Sequence, residues 1–245
     1  MKNITVAIEG STYAGSIAVL SGSEVVCERS LRAEDGGGGA NRTGRGERLM
    51  PALAECIAEA GVRGNDVVRV VCGAGPGSFT SLRVAGSVAK GLATGYGVGL
   101  YAVNSLLLAV AGSIQEEPAA DRLRHRTPRG KLAPGPYLSV LDAMRGEFFG
   151  LRVLLEEDGS VKPVGRAELM TTDDIAELRE RKAILRCIGP GQEVDVGPHA
   201  RGVSVLLENI LEQGPVDLAS WEPDYGRLAE AQVRWEATHG RPLTT

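Results

Sequence analysis

Apolar residues in the first thirty positions come in short runs broken by small polar groups. ITVAIEGSTYAGSIAVLSGSEVVCERSL reads as three strands joined by tight turns, because its β-branched runs are punctuated at Gly10, Ser11, Gly15 and Gly22. The period then changes. Leu49, Leu53, Ile57 and Ala60 fall on one face of a helix expected from about Gly46 to Ala60, with Gly61 as its stop. NDVVRVVCGAGPGS is a short buried strand that runs into glycines, and a second helix starts near Ser78. The same order returns in the middle of the chain. PYLSVLDAMRGEFFGLRVLLEEDGSVKPV gives three strands with turns at Gly146 and Asp158-Gly159, TTDDIAELRERKA gives a helix with Thr172 as N-cap, and AILRCIGPGQEV gives a strand running into Gly189-Pro190-Gly191. An acid ends the first strand of each copy, Glu9 and Asp142. The pattern therefore predicts a duplicated α/β chain, with two lobes of like topology facing each other across a cleft. The expected division is 1–106 and 107–245, with the final helix packing back on the first lobe.

Composition narrows the class without naming an activity. The chain has 245 residues, 43% hydrophobic and 24% charged, and no uncharged apolar run of eighteen residues that would cross a membrane. MKNITVAIEG carries no signal-peptide pattern, so a cytoplasmic location is expected. Cys27, Cys56, Cys72 and Cys187 form no CxxC pair and read as reduced, buried small hydrophobes. A net charge of −4 gives no broad attraction to nucleic acid. Two segments interrupt the pattern. EDGGGGANRTGRGE, at 34–47, is expected as a mobile loop, and DRLRHRTPRGK, within a basic insert near 115–135, as an exposed loop that lacks aromatic residues for base stacking.

GAGPGSFTSLR, from Gly73 to Arg83, fails three familiar tests. It has no lysine for a phosphate-cradling P-loop, no third glycine and following acid for a dinucleotide site, and Pro76 and Thr80 where a nucleophile elbow around Ser78 needs glycines. Ser78 reads as a helix N-cap. The helix after it is rich in Ala85, Gly86, Ser87, Ala89, Gly91 and Ala93, and glycine there costs about 1 kcal/mol against alanine. Close approach of another backbone, inside the molecule or from a partner, is the expected return. The two-lobe pattern is similar to the actin/Hsp70-like (ASKHA) ATPase superfamily fold, in which Glu9, Ser11 and Asp142 stand where nucleotide-site residues would lie; each acid could equally serve only its own turn.

GPGSFTSLRVAGSVAKGLATGYGVGLYAVNSL, Gly75 to Leu106, resembles the signature segment of the TsaB (YeaZ) family, whose usual form begins GPGSFTGLR. GERLMPAL (46–53), VLDAMRGEFF (140–149) and EPDYGRLAEAQ (222–232) are similar to three further family segments. The resemblance implies a noncatalytic subunit in the synthesis of tRNA threonylcarbamoyladenosine. It implies no firmly bound cofactor and no metal, with ATP or ADP held at a complex interface or in the paralogue TsaD. The implied partners are TsaD, the ATPase TsaE, a second copy of the chain when alone, and tRNA only through the complex. It implies docking through the first two helices, with Leu49, Leu53, Phe79, Thr80, Leu82, Arg83, Ala85, Gly86 and Ala89 as contact candidates. The chain departs from the family at Glu9-Gly10-Ser11 in place of Asp-Thr-Ser, at Arg45 in place of histidine, and at Ser81 in place of glycine. A hydrolytic zinc site is not expected, because His125, His199 and His239 are scattered. Two other functions stay open on sequence: a stand-alone phosphotransferase using Glu9 and Asp142, and an RNA-binding accessory protein acting through Arg122 to Lys131.

Overall fold

The computed structural model describes residues 3–31, 45–114, 132–227 and 238–240. Strands β1 (Ile4–Glu9), β2 (Ser16–Ser21) and β3 (Glu24–Ser30) form an antiparallel meander, followed by helix α1 (Arg45–Glu59) and strand β4 (Val67–Gly73). Helix α2 (Phe79–Tyr96), strand β5 (Gly99–Val103) and helix α3 (Ser105–Ile114) complete the first half. In the second half, β6 (Gly135–Asp142), β7 (Glu147–Leu155) and β8 (Val161–Thr171) repeat the meander, followed by α4 (Thr172–Glu180), the short β9 (Cys187–Ile188) and α5 (Val203–Glu212).

The strand orders are β3-β2-β1-β4-β5 and β8-β7-β6-β9. In both sheets an antiparallel meander is extended by a parallel strand beside its first member, β4 on β1 and β9 on β6. This shared topology is the duplication the sequence pattern predicts, and the chain has the two-lobe ASKHA-like α/β fold.

Burial explains the strand sequences. β1 is covered on both faces, so it reads as an almost unbroken apolar run rather than an alternating one. Ile4, Val6 and Ile8 join α1 and α2 in one core, while Ala7 joins a second core containing α3, Tyr137, Leu151 and α5. That second core is continuous between the two sheets. Thr5, also buried, receives a hydrogen bond from the Arg69 guanidinium at 3.2 Å. A third cluster, around Leu138, Val140 and Ile175, fixes α4 on the outer face of the second sheet.

Several local expectations change in detail. α1 already begins at Arg45, so the last three residues of the expected 34–47 loop are helical; its earlier part and the basic insert at 115–131 lie outside the described residues. The N-cap of α4 is Thr171 rather than Thr172. Thr171 Oγ1 accepts from the Asp174 amide at 3.2 Å and Asp174 answers the Thr171 amide at 2.7 Å, a capping box that leaves Thr172 as the first helical residue. Ser78 does occupy the N-cap position of α2, but its hydroxyl meets Ser81 Oγ at 3.1 Å instead of a helical amide. The packing of a final helix on the first lobe concerns the chain after Arg227, where residues 228–237 and 241–245 lie outside the described residues. Among the described residues, no helix is long and apolar enough to cross a membrane.

Candidate functional site

The glycine–proline loop lies where β4 meets α2, and its surroundings account for each small residue. Glu9, at the end of the neighbouring β1, is only 1% exposed. Its Oε1 accepts from the Ser11 amide at 2.5 Å and its Oε2 from the Ser105 hydroxyl at 2.9 Å. Ser105 Oγ accepts in turn from the Gly75 amide at 3.1 Å, and the Ser105 amide donates to the Gly75 carbonyl at 2.8 Å. A Cβ on Gly73 would occupy the space of Glu9 Oε2 itself. Gly73 is therefore a glycine because a carboxylate is folded against its backbone. Burial raises the Glu9 carboxyl above its ordinary range, opposed by the Ser11 and Ser105 hydrogen bonds.

The other side of the loop is covered by the chain's own C-terminal segment. The Asp224 amide donates to the Ala74 carbonyl at 2.7 Å, and Gly75, at φ +92°, leaves room for the Asp224 carbonyl. Tyr225 packs on Phe79 with ring centroids 4.5 Å apart. A Cβ on Gly226 would lie 2.5 Å from Phe149 and 2.7 Å from Pro76, so the segment is wedged between the first-half loop and the second-half strand β7. Arg227 closes the span, pairing with Glu147 at 2.9 Å and lying over the Phe149 ring. Residues 221–227 thus form a strap from α2 to β7. Gly86 faces Pro223 and Trp221, so one glycine of the small-residue helix is consumed by this contact.

The expected nucleotide-site residues are not assembled into one accessible site. Glu9 is sealed inside, and Ser11 is buried with its backbone carbonyl accepting from the Ser78 amide at 2.7 Å. Asp142 is exposed, and its Oδ1 accepts from the Met144 amide at 2.7 Å, which holds the β6–β7 turn. Each acid serves its own turn. Among the described residues, no three His, Cys, Asp or Glu side chains are grouped to hold a metal ion.

The nine helix candidates divide sharply. Leu49, Leu53, Leu82, Ala85 and Ala89 are buried core residues, and Gly86 is covered by the strap. This corrects the sequence expectation, because a residue such as Leu82, 0% exposed, faces its own sheet and cannot meet another molecule. Phe79, 40% exposed, Thr80 and Arg83 remain on the outside. Arg83 lies over the Phe79 ring, 5.2 Å from its centroid. Ser87, Gly91 and Thr94 on α2 are exposed as well, as are Met50, Pro51, Ala54 and Ala58 on α1. Among the described residues, nothing lies within 4 Å of a Cβ built on Gly91.

Sequence reasoning gave the strap no role, although Pro223, Tyr225 and Gly226 were visible as a rigid and small-residue cluster. It also missed the contact between β3 and the chain before α5. There Arg201 and Glu28, with side chains 4% and 10% exposed, pair at 3.1 Å, and His199 Nε2 lies 3.0 Å from Ser30 Oγ. His199 Nδ1 accepts from the Arg201 amide at 3.1 Å, which ties the ring to the turn before α5.

Residues 43–121 match the family model described as TsaD, tRNA N6-adenosine threonylcarbamoyltransferase. The tRNA threonylcarbamoyladenosine biosynthesis protein TsaB of Bacillus subtilis is 24% identical, over 94% of this chain and 96% of its own length. Its Haemophilus influenzae namesake is 35% identical over 43% of this chain and 42% of that protein. Among solved structures, YeaZ from Pseudomonas aeruginosa superposes with a TM-score of 0.64 at 19% identity, covering 91% of this chain and 99% of that one. A second structure, of an uncharacterized protein with similarity to peptidase YEAZ from Pseudomonas aeruginosa, gives 0.67 at 19% identity, covering 92% and 100%. The solved structures share the fold, and over most of its length the chain is similar in sequence to a protein named TsaB and in fold to one named YeaZ.

Proposed function

We propose that this chain is a noncatalytic assembly subunit for tRNA threonylcarbamoyladenosine synthesis, docking a TsaD paralogue through the outer face of α1 and α2. The observation that carries the reading is Gly91. A glycine inside an exposed helix costs about 1 kcal/mol relative to alanine, and among the described residues no neighbour requires it. A partner backbone approaching that face does. The flanking Ser87, Val88, Ala54 and Ala58 keep the face flat enough for close helix packing. Support for a noncatalytic role comes from Glu9, which is buried and committed to Ser11 and Ser105. In this reading the chain binds no cofactor firmly, ATP or ADP sits at the complex interface or in TsaD, TsaE joins the assembled pair, and tRNA is met through the complex. Alone, the same face pairs two copies of the chain.

The test is light scattering after size exclusion, with the chain alone and mixed with the TsaD paralogue from the same source. Gly91→Leu and Arg83→Glu are the informative variants, since both positions are exposed. Gly91→Leu is expected to leave the fold as stable or more so while abolishing the heterocomplex. Intact complex formation by both variants refutes this face. A metal-dependent ATPase rate from the isolated chain, lost in Glu9→Gln, replaces the reading with a phosphotransferase.

A further inference from the structure

Two of the four free cysteines meet across the contact between α1 and β3. Cys27 lies on β3 and Cys56 on α1, in the same apolar cluster as Leu49 and Leu53. Arg29, two residues along β3 and therefore on the same side of the strand, donates from Nη1 to Cys27 Sγ at 3.5 Å. Its Nη2 pairs with Glu59, one turn beyond Cys56 on the same side of α1. Strand and helix are thus held in a register that brings the Cys27 thiol close enough to raise that of Cys56. Neither thiol takes part in the glycine–proline loop, the strap or the proposed docking face.

We propose that Cys27 and Cys56 are a dithiol modification site, at which a low-molecular-weight disulfide such as oxidised glutathione converts the pair to a disulfide that staples α1 to β3. Cys27 is the entry point. It is 6% exposed where Cys56 is 0% exposed, and the Arg29 guanidinium places positive charge at the sulfur that becomes the nucleophile. The Cys27 thiolate attacks one sulfur of the reagent, forming a mixed disulfide and releasing one small thiolate. Cys56 sulfur then attacks Cys27 Sγ, forming the Cys27–Cys56 bond and releasing the second. Two electrons pass to the reagent, and the two protons lost by the cysteines end on the two released thiols. Burial pushes the Cys56 thiol up, so the second step depends on the neighbour being in place rather than on a free thiolate.

The other cysteines are internal controls. Cys187 also has an arginine donor, Arg179 Nη2 at 3.4 Å, but no second cysteine beside it. Cys72 is enclosed at the end of β4, with burial and the Glu9 charge both raising its thiol. A staple on α1 would fix the helix that carries Met50, Pro51, Ala54 and Ala58. The site itself stands apart from the proposed docking role of that helix.

The experiment incubates the native full chain with millimolar oxidised glutathione, blocks remaining thiols with N-ethylmaleimide, and reads intact mass and non-reducing peptide maps. The expected product has lost two hydrogens, joins the Cys27 and Cys56 peptides, leaves Cys72 and Cys187 reduced, and reverts with dithiothreitol. Cys56→Ser should instead retain one glutathione on Cys27, and Cys27→Ser should remain unmodified, with circular dichroism confirming that both variants fold. Closing the loop is expected to raise Tm by about 5 °C or more, since a disulfide across a loop of this size constrains the unfolded chain. Three results overturn the proposal: no modification of the native chain, a Cys27 mixed disulfide that never resolves onto Cys56, or pairing of either thiol with a different cysteine.

Discussion

Replacing Gly75 by alanine tests the strap against the same substitution at Gly91. At Gly75 the backbone sits at φ +92°, and an added methyl would collide with the Asp224 carbonyl. The left-handed region costs an L-residue about 1–2 kcal/mol. Moving the strap away also endangers the Asp224-to-Ala74 hydrogen bond and the Tyr225–Phe79 stack, each worth about 1 kcal/mol. The Arg227–Glu147 pair, about a third exposed, adds little. The total is a loss of about 3–4 kcal/mol, or a fall in Tm of roughly 6–16 °C for a chain of this size. Gly91→Ala should go the other way, gaining up to about 1 kcal/mol, because the helix gains propensity and nothing lies near the new Cβ. Urea unfolding of the two variants gives the difference, and amide exchange across 221–227 shows whether the strap has loosened. Equal midpoints for the two alanine variants, with unchanged exchange in the strap, would refute the argument.

Glu9 gives a pH test. Its folded carboxyl titrates above the ordinary 4.5, so its contribution is full below that value and is lost as pH rises through the folded value. Glu9→Gln should therefore gain stability relative to the native chain as the pH rises above 4.5 in denaturant titrations, and parallel curves would contradict the burial argument. Arg201→Met strands Glu28 in the contact between β3 and the α5 side of the fold. It is expected to cost about 3–5 kcal/mol in urea unfolding. Adding Glu28→Gln should restore part of that, and simple additivity would deny the pair. Thr171→Ala removes the cap of α4 and should cost about 1 kcal/mol while Thr172→Ala is close to neutral; the reverse order would return the cap to Thr172.

The repeat was legible because strand meanders and turn glycines recur in both halves of the sequence, and the sheets share that order over four strands, with β5 added in the first. Helix α2 was legible as an element but not in its orientation. Ala85, Ala89 and Ala93 repeat every four residues and so do Ser87 and Gly91, so periodicity marks two small-residue stripes without saying which one faces the sheet. The structure decides through Gly10, where an added Cβ would stand 2.5 Å from that of Ala85. Leu82, an attractive contact candidate as a leucine in a family signature, lies on that inner stripe. The strap was illegible for a different reason. Its partners at Ala74, Phe79, Glu147 and Phe149 are far from it in sequence, and no local period links residues that meet only when the two halves have folded.

The two halves put the same device to different uses. At the end of β4, Gly73 lies against the Glu9 carboxylate; at the corresponding end of β9, Gly189 lies against the Val140 carbonyl. In both, a missing side chain lets the parallel strand and its neighbour meet at full contact. The first half then spends its acid internally, on Ser11 and Ser105, whereas Asp142 stays outside and closes a turn. A ligand held by both acids would need Glu9 to leave its hydrogen bonds to Ser11 and Ser105. Freeing Glu9 in this way breaks the buried Glu9–Ser105–Gly75 chain. The outer face of α1 and α2 requires no such rearrangement. Among the described residues, Ala54, Ala58, Ser87 and Gly91 are exposed and nothing lies within 4 Å of a Cβ built on Gly91, so the proposed docking breaks none of these contacts.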